Sequence, residues 1–171
     1  MLNKLKTDNI TYENYTIINF VNTSDVEKKM ILDWRNNDNV RKWMLDKKKI
    51  DLETHYKYIE SLKDNENKLC FIVKNEEVYI GIFEFDEIDL VNKTACFGLN
   101  ASPHTHIKGV GSILIKISLY LAQQFLHLDI LKLYVNYENK NAVNLYKKFK
   151  FAITCEKNIA EENYYFMEKI L

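Results

Sequence analysis

The segment His106-Ile107-Lys108-Gly109-Val110-Gly111-Ser112 decides how this chain is read, together with the segment Asn139-Lys140-Asn141-Ala142-Val143-Asn144-Leu145-Tyr146-Lys147-Lys148-Phe149-Lys150-Phe151 further on. The first holds two of the four glycines. It lies between an apolar run at 95–101, read as a strand, and a stretch from Val110 to His127. Ile113, Leu114, Ile117, Leu121 and Phe125 recur there at helical spacing. A helix that starts at such a loop presents unpaired N–H groups and roughly half a positive charge. Glycines let a phosphate approach that backbone closely. The loop His106, Lys108, Gly109, Val110, Gly111 and Ser112 therefore reads as a pyrophosphate site, with a simple tight turn as the alternative. No Gly-Lys-Ser/Thr follows, so it is not a Walker loop, and a dinucleotide fingerprint would need a third glycine.

Working outward, residues 16–22 read as a strand. Ser24 opens a helix with Glu27 in a capping box, and Val26, Met30 and Trp34 follow at helical spacing. Asp51 caps a second helix whose expected stripe is Leu52, Tyr56, Ile59 and Leu62. Strands are expected at 69–74, 78–88 and 95–101, the first two joined through Asn75-Glu76-Glu77. After the long helix come a strand at 131–137, a short helix at 141–149 and closing strands near 151–158 and 163–170. The β-α-β unit at 95–137 requires a right-handed crossover and one parallel pair. The expected architecture is an α+β fold. It has one mixed, mostly antiparallel sheet of about seven strands with helices on both faces. Residues 1–14 read as a polar extension and 15–171 as a single domain.

Composition narrows the function. Net charge is zero, with 24 basic and 24 acidic residues, so nothing marks a nucleic-acid binder. The three cysteines, Cys70, Cys96 and Cys155, include no CxxC pair, so no metal site is expected and a reducing cytoplasm suits them. The N-terminus has no apolar secretory core, and no apolar run is long enough to span a membrane. A homodimer is compatible with the sequence.

The two motifs in order resemble the GNAT superfamily of N-acetyltransferases, which pairs a Q/R-x-x-G-x-G/A loop with N-x-x-A-x-x-L-Y-x-K-x-G-F. The chain matches at Gly109, Gly111, Asn139, Ala142, Leu145, Tyr146, Lys148 and Phe151. It departs at His106, where Gln or Arg is usual, and at Lys150, where Gly is usual. The resemblance implies acetyl-CoA as cosubstrate, held by backbone N–H groups of Val110, Gly111 and Ser112. It implies that strand 97–101 splays from strand 131–137, so that Leu99 and Asn100 pair with the pantetheine arm, and that Asn139 bonds that arm. Tyr146 would stand by the thioester sulfur. A thiol titrates near about 8.5 and a phenol near about 10, so a neutral phenol can share its proton with the departing thiolate. Many relatives carry a glutamate where this chain has Cys96. Glu84 is the best substitute base, acting through water. Asp86 is a weaker candidate, and His55 a third.

The N-terminal helices usually bind the acceptor. The only arginines, Arg35 and Arg41, fall here beside Trp34 and Trp43. Guanidinium forks bind phosphate and indoles stack on flat groups, so a nucleotide sugar fits. The W-R-N…W-M…T-H arrangement resembles the N-acetyltransferases of pseudaminic acid biosynthesis, which act on UDP-4-amino-4,6-dideoxy-N-acetyl-β-L-altrosamine. That resemblance implies that Arg35, Met44 and His55 line the sugar pocket. The rivals are a ribosomal-protein N-terminal acetyltransferase, which would need an acidic groove, and a non-catalytic acyl-CoA-binding module.

Overall fold

The computed structural model describes residues 2–171 and places every strand in one sheet. The strands are β1 (Ile10–Tyr12), β2 (Tyr15–Asn19), β3 (Leu69–Asn75), β4 (Val78–Asp89), β5 (Thr94–Ala101), β6 (Ile130–Asn136), β7 (Ala152–Ile159) and β8 (Glu162–Ile170). Their order across the sheet is β1-β2-β3-β4-β5-β6-β8-β7. Only β5 and β6 run parallel. The sheet thus has eight strands where about seven were expected, and the additional one is β1.

That strand lies in the stretch read as a polar extension, as does helix α1 (Leu2–Thr7). Leu5 and Ile10 are buried in the main core. The Asn19 amide donates to the Leu5 carbonyl at 3.1 Å, tying α1 to the end of β2. A six-residue helix completes fewer than two turns, so its apolar face cannot repeat often enough to show in the sequence.

The remaining helices are α2 (Asp25–Asn36), α3 (Asp38–Arg41), α4 (Leu52–Ser61), α5 (Val110–Gln124) and α6 (Lys140–Lys148). The Ser24 hydroxyl accepts from the Glu27 N–H, and the Glu27 carboxylate accepts from the Ser24 N–H at 2.7 Å, completing the capping box. Asp51 caps α4 by accepting from the Thr54 N–H at 2.8 Å. The buried face of α4 is His55, Ile59 and Leu62, whereas Leu52 is 44% exposed at the capped end.

The pleat divides the apolar residues between two cores. Phe83, Phe85, Phe97, Leu131 and Leu133 pack with Leu5, Leu114, Ile117, Val143 and Tyr146, so α1, α5 and α6 cover one face. Cys70, Ile72 and Ile18 pack with Ile31, Trp34 and Ile59, so α2 and α4 cover the other.

The joint between β5 and β6 is short. Its pairs are Thr94–Ile130, Ala95–Leu131 and Cys96–Lys132. Beyond them β5 stays paired to β4 through Ala101, and β6 stays paired to β8 through Asn136. The two strands part, as expected, and the wedge opens at their C-terminal ends, where α5 and α6 begin.

Candidate active site

The glycine loop delivers the helix start that its sequence calls for. Gly109 is the N-cap of α5 at φ +81°, a left-handed conformation natural to glycine, and no side chain caps the helix. The Ser112 N–H donates to the Gly109 carbonyl at 2.9 Å. The N–H groups of Val110 and Gly111 precede the first helical hydrogen bond and have no carbonyl one turn back. Gly111 also serves packing: a Cβ there would lie 2.6 Å from Cδ2 of Leu145 on α6. Two residues of the paired motifs thus meet each other, and bulk at 111 would part the helices as well as crowd a phosphate. His106 and Lys108 are exposed in the loop. The neighbouring His104 reaches Asp33 of α2 at 3.2 Å, holding the loop against the opposite face.

Tyr146 owes its position to the way α6 ends. The Phe151 N–H donates to the Tyr146 carbonyl at 3.0 Å, and the Lys150 N–H to the Lys147 carbonyl at 2.9 Å. These are the two bonds of a Schellman ending, with Lys150 left-handed at φ +65°. The same ending brings the Phe151 ring to 5.7 Å from the Tyr146 ring, edge-on. Phe97 holds the other side at 6.4 Å. The ring is 6% exposed, yet among the described residues the hydroxyl has no hydrogen-bond partner and is not a sealed polar atom. Burial pushes its pKa above the ordinary phenol value, which keeps the proton on at neutral pH. Glycine's usual place at 150 now has a physical reason: the position is left-handed. Lys150→Gly should stabilise the fold by about 1 kcal/mol, raising Tm by roughly 2–4 °C without changing turnover. Calorimetry of the variant checks this.

Glu84 stands on the opposite face. It pairs with Cys70 of β3 on one side and Gly98 of β5 on the other. Its carboxylate lies 3.3 Å from Lys68, and the Cys70 thiol donates to it at 3.6 Å. The Tyr58 hydroxyl of α4 lies 3.3 Å from Cys70. Lys68 also reaches Asp86, at 2.7 Å. Burial alone would lower the Lys68 pKa, but the two carboxylates outweigh it and hold the ammonium charged. The Glu84 side chain remains 44% exposed, so water reaches it. Cys96, at the position where relatives carry an acid, donates to Glu87 at 3.2 Å. Burial and that carboxylate push its thiol up to about 12, which leaves it no role as a base at neutral pH. Lys68 and Tyr58 carry no signal in the sequence, and Cys70 reads there only as a free thiol, although strand periodicity puts 68, 70, 84 and 86 on one face.

Asn139 is the N-cap of α6 and accepts from the Ala142 N–H at 3.2 Å. That bond uses its oxygen and leaves the amide N–H groups directed elsewhere. Leu99 and Asn100 pair with Phe83 and Ile82 of β4, and no strand covers their other edge along the wedge.

The acceptor-side residues fare differently. Arg35 donates to the Asp46 carbonyl at 2.7 Å and the Lys48 carbonyl at 3.4 Å. Arg41 donates to the Lys47 carbonyl at 2.6 Å and pairs with Asp38. Asn36 and Ile50 close the base of the same loop with two hydrogen bonds. The arginine forks expected to meet a phosphate are thus spent on the loop that carries Met44, and Lys47 of that loop pairs with Glu162 of β8. Trp34 is 3% exposed and belongs to the core, so it cannot stack on a ligand. His55 is likewise withdrawn, at 4% exposure, with Nε2 2.9 Å from the Lys28 carbonyl. Desolvation lowers its pKa, and the neutral ring clamps α4 to α2. His55, expected in the sugar pocket or as a base, thus makes an interhelical hydrogen bond in this structure. Met44 is half-buried in the loop.

Comparison with known proteins agrees with this geometry. The sequence profile of the acetyltransferase (GNAT) family matches residues 29–151. Acetyltransferase PseH of Campylobacter jejuni is 36% identical over 135 residues, which is 79% of this chain and 83% of that relative. The crystal structure of C. jejuni N-acetyltransferase PseH in complex with acetyl coenzyme A has a TM-score of 0.75 at 29% identity, covering 91% of this chain and 98% of the other. Spermidine N-acetyltransferase from Vibrio cholerae, with CoA and spermine, shares the fold with a TM-score of 0.83 at 20% identity, covering 93% and 96% of the two chains. With a glycine-capped helix start, a splayed parallel joint and a buried motif tyrosine in one wedge, the chain belongs to the GNAT family of acetyltransferases.

Proposed function

We propose that the protein transfers the acetyl group of acetyl-CoA to the 4-amino group of UDP-4-amino-4,6-dideoxy-N-acetyl-β-L-altrosamine, the N-acetylation step of pseudaminic acid biosynthesis. The observation that carries this reading is the wedge after Cys96 and Lys132, with the α5 N-terminus and the Tyr146 hydroxyl on one face and Glu84 on the other. The likeness to PseH supports the choice of acceptor. The proposed pyrophosphate site is the start of α5 at Gly109, Val110, Gly111 and Ser112, flanked by His106 and Lys108. The pantetheine arm runs along the uncovered edge of Leu99 and Asn100, with Asn139 donating to it. In this reading the amine attacks the thioester carbon and the C–S bond breaks. The departing sulfur takes the Tyr146 proton, and the amine's surplus proton passes to Glu84, directly or through water. Arg35 acts on the acceptor through the loop it holds, which positions Met44. The chemistry belongs in the cytoplasm, and among the described residues no helix is long and apolar enough to cross a membrane.

The test is coenzyme A release with three additions: the UDP-linked amino sugar, a basic peptide, and no acceptor. Turnover with the sugar alone is the expected result. A basic peptide that outperforms the sugar would replace this reading with peptide acetylation. Release that is equally slow in all three arms would remove catalysis of acetyl transfer to either acceptor.

A further inference from the structure

Taken across the sheet, the register sets one row of residues on the face opposite Tyr146. Cys70 of β3 pairs with Glu84 of β4, Glu84 with Gly98 of β5, and Tyr134 of β6 with Phe166 of β8. Between Gly98 and Tyr134 the two strands have parted. Tyr134 lies two residues past Lys132, the last residue of β6 paired to β5, and Gly98 two past Cys96, so both belong to the same side of the pleat. Gly98 contributes no side chain, which makes a notch with a bare floor. A carboxylate stands on one wall and a phenol ring on the other. A Cβ built on Gly98 would lie 3.4 Å from the Glu84 carboxylate, so the acid borders the space above the glycine.

The tyrosine wall is aromatic in depth. The Tyr134 ring is 5.9 Å from Phe166, tilted, and 6.5 Å from Tyr164, edge-on. Tyr134 itself is 45% exposed, among the more open large apolar side chains. Its neighbours are buried or half-buried and fix its orientation. The Tyr164 hydroxyl donates to Glu162 at 3.0 Å, and Glu162 pairs with Lys47 of the Met44 loop. An exposed ring braced by two others beside a notch, and linked to the acceptor loop, is what a flat apolar ligand face requires. A 6-deoxy pyranose offers such a face through its axial C–H bonds and methyl group.

We propose that the notch over Gly98 seats the amino-sugar ring of the acceptor, with Tyr134 as its stacking platform and the amine directed at Glu84. This rests on the nucleotide-sugar reading above. Tyr134 is a positioning residue: it fixes the ring, and Glu84 takes the proton.

The experiment is steady-state kinetics of Tyr134→Ala, Tyr134→Phe and Gly98→Val with the UDP-linked amino sugar, alongside acetyl-CoA affinity by thermal shift. Tyr134→Ala should raise the acceptor KM by about tenfold or more, with acetyl-CoA affinity and Tm nearly unchanged because the side chain is half open to solvent. Tyr134→Phe keeps the ring and should stay within about twofold. Gly98→Val fills the notch and should act as Tyr134→Ala does or more severely. A silent Tyr134→Ala, in an enzyme that does turn the sugar over, defeats the platform alone. So does a Tyr134→Phe variant as impaired as the alanine, since the hydroxyl and not the ring would then be at work. If the wild-type protein does not turn the sugar over at all, the nucleotide-sugar reading fails first and the platform with it.

Discussion

Tyr146→Phe should lower kcat by about 10²–10⁴-fold, the usual cost of losing a positioned general acid. The ring is what packs: it lies against Phe97 and Phe151 and forms part of the main core. Phenylalanine keeps that packing, so Tm should hold to within a degree or two. The hydroxyl it removes makes no hydrogen bond within the described protein, so no buried partner is orphaned. KM for acetyl-CoA should move little, because the proton is given up as the sulfur leaves and not before. Tyr146→Ala should fail differently. It leaves a cavity under the Schellman ending of α6 and should cost about 3–5 kcal/mol of stability, as large aromatic truncations do. Measuring kcat under conditions where chemistry limits turnover, beside Tm for both variants, separates the roles. A Phe variant within a few-fold of wild type would mean that the tyrosine is there only to fill space.

Glu84→Gln should show the second large loss, again about 10²–10⁴-fold in kcat/KM at neutral pH. Glutamine keeps the size and one acceptor oxygen for Cys70 and Lys68, but it cannot take a proton. Lys68 retains Asp86 at 2.7 Å, so the ammonium is not stranded and the fold should survive. Asp86→Asn is the matching control. Asp86 shares the face and the lysine with Glu84, yet it pairs with Cys96 where β5 and β6 are still joined, before the wedge opens. It should leave turnover within a few-fold. If the two amides behave alike, the shared effect is loss of charge around Lys68, and the proton acceptor must be sought elsewhere.

What the sequence disclosed was local chemistry. Ser24 with Glu27 and Asp51 with Thr54 are caps whose partners lie three residues away, and both stand where they were expected. The helix start at Gly109 was legible because it depends on the backbone of adjacent residues. What stayed hidden depends on distant partners. Nothing in the sequence says that the Arg35 and Arg41 forks close on carbonyls of residues 46–48, because those carbonyls belong to every residue type. Trp34 and His55 have side chains that suit a pocket as well as a core, and tertiary packing decided for the core. The wall at Tyr134 was missed because its importance lies in the register of β6 against β8 and in what β5 lacks opposite it. Leu2–Tyr12 was missed because too few turns and too few strand residues are present for a period to emerge.

The pleat has one more consequence, which concerns descent rather than catalysis. Along β4, β5 and β6, alternate residues answer to different ligands in the proposed site. Phe83, Phe97 and Leu133 support the side that holds the cofactor, while Glu84, Gly98 and Tyr134 shape the side that meets the acceptor. In that reading, neighbours in sequence serve different ligands. A lineage could exchange its amine substrate by altering every second position in three strands and leave the acetyl-CoA apparatus undisturbed. The same sheet could then pass from one acceptor to another without passing through a form that has lost its donor.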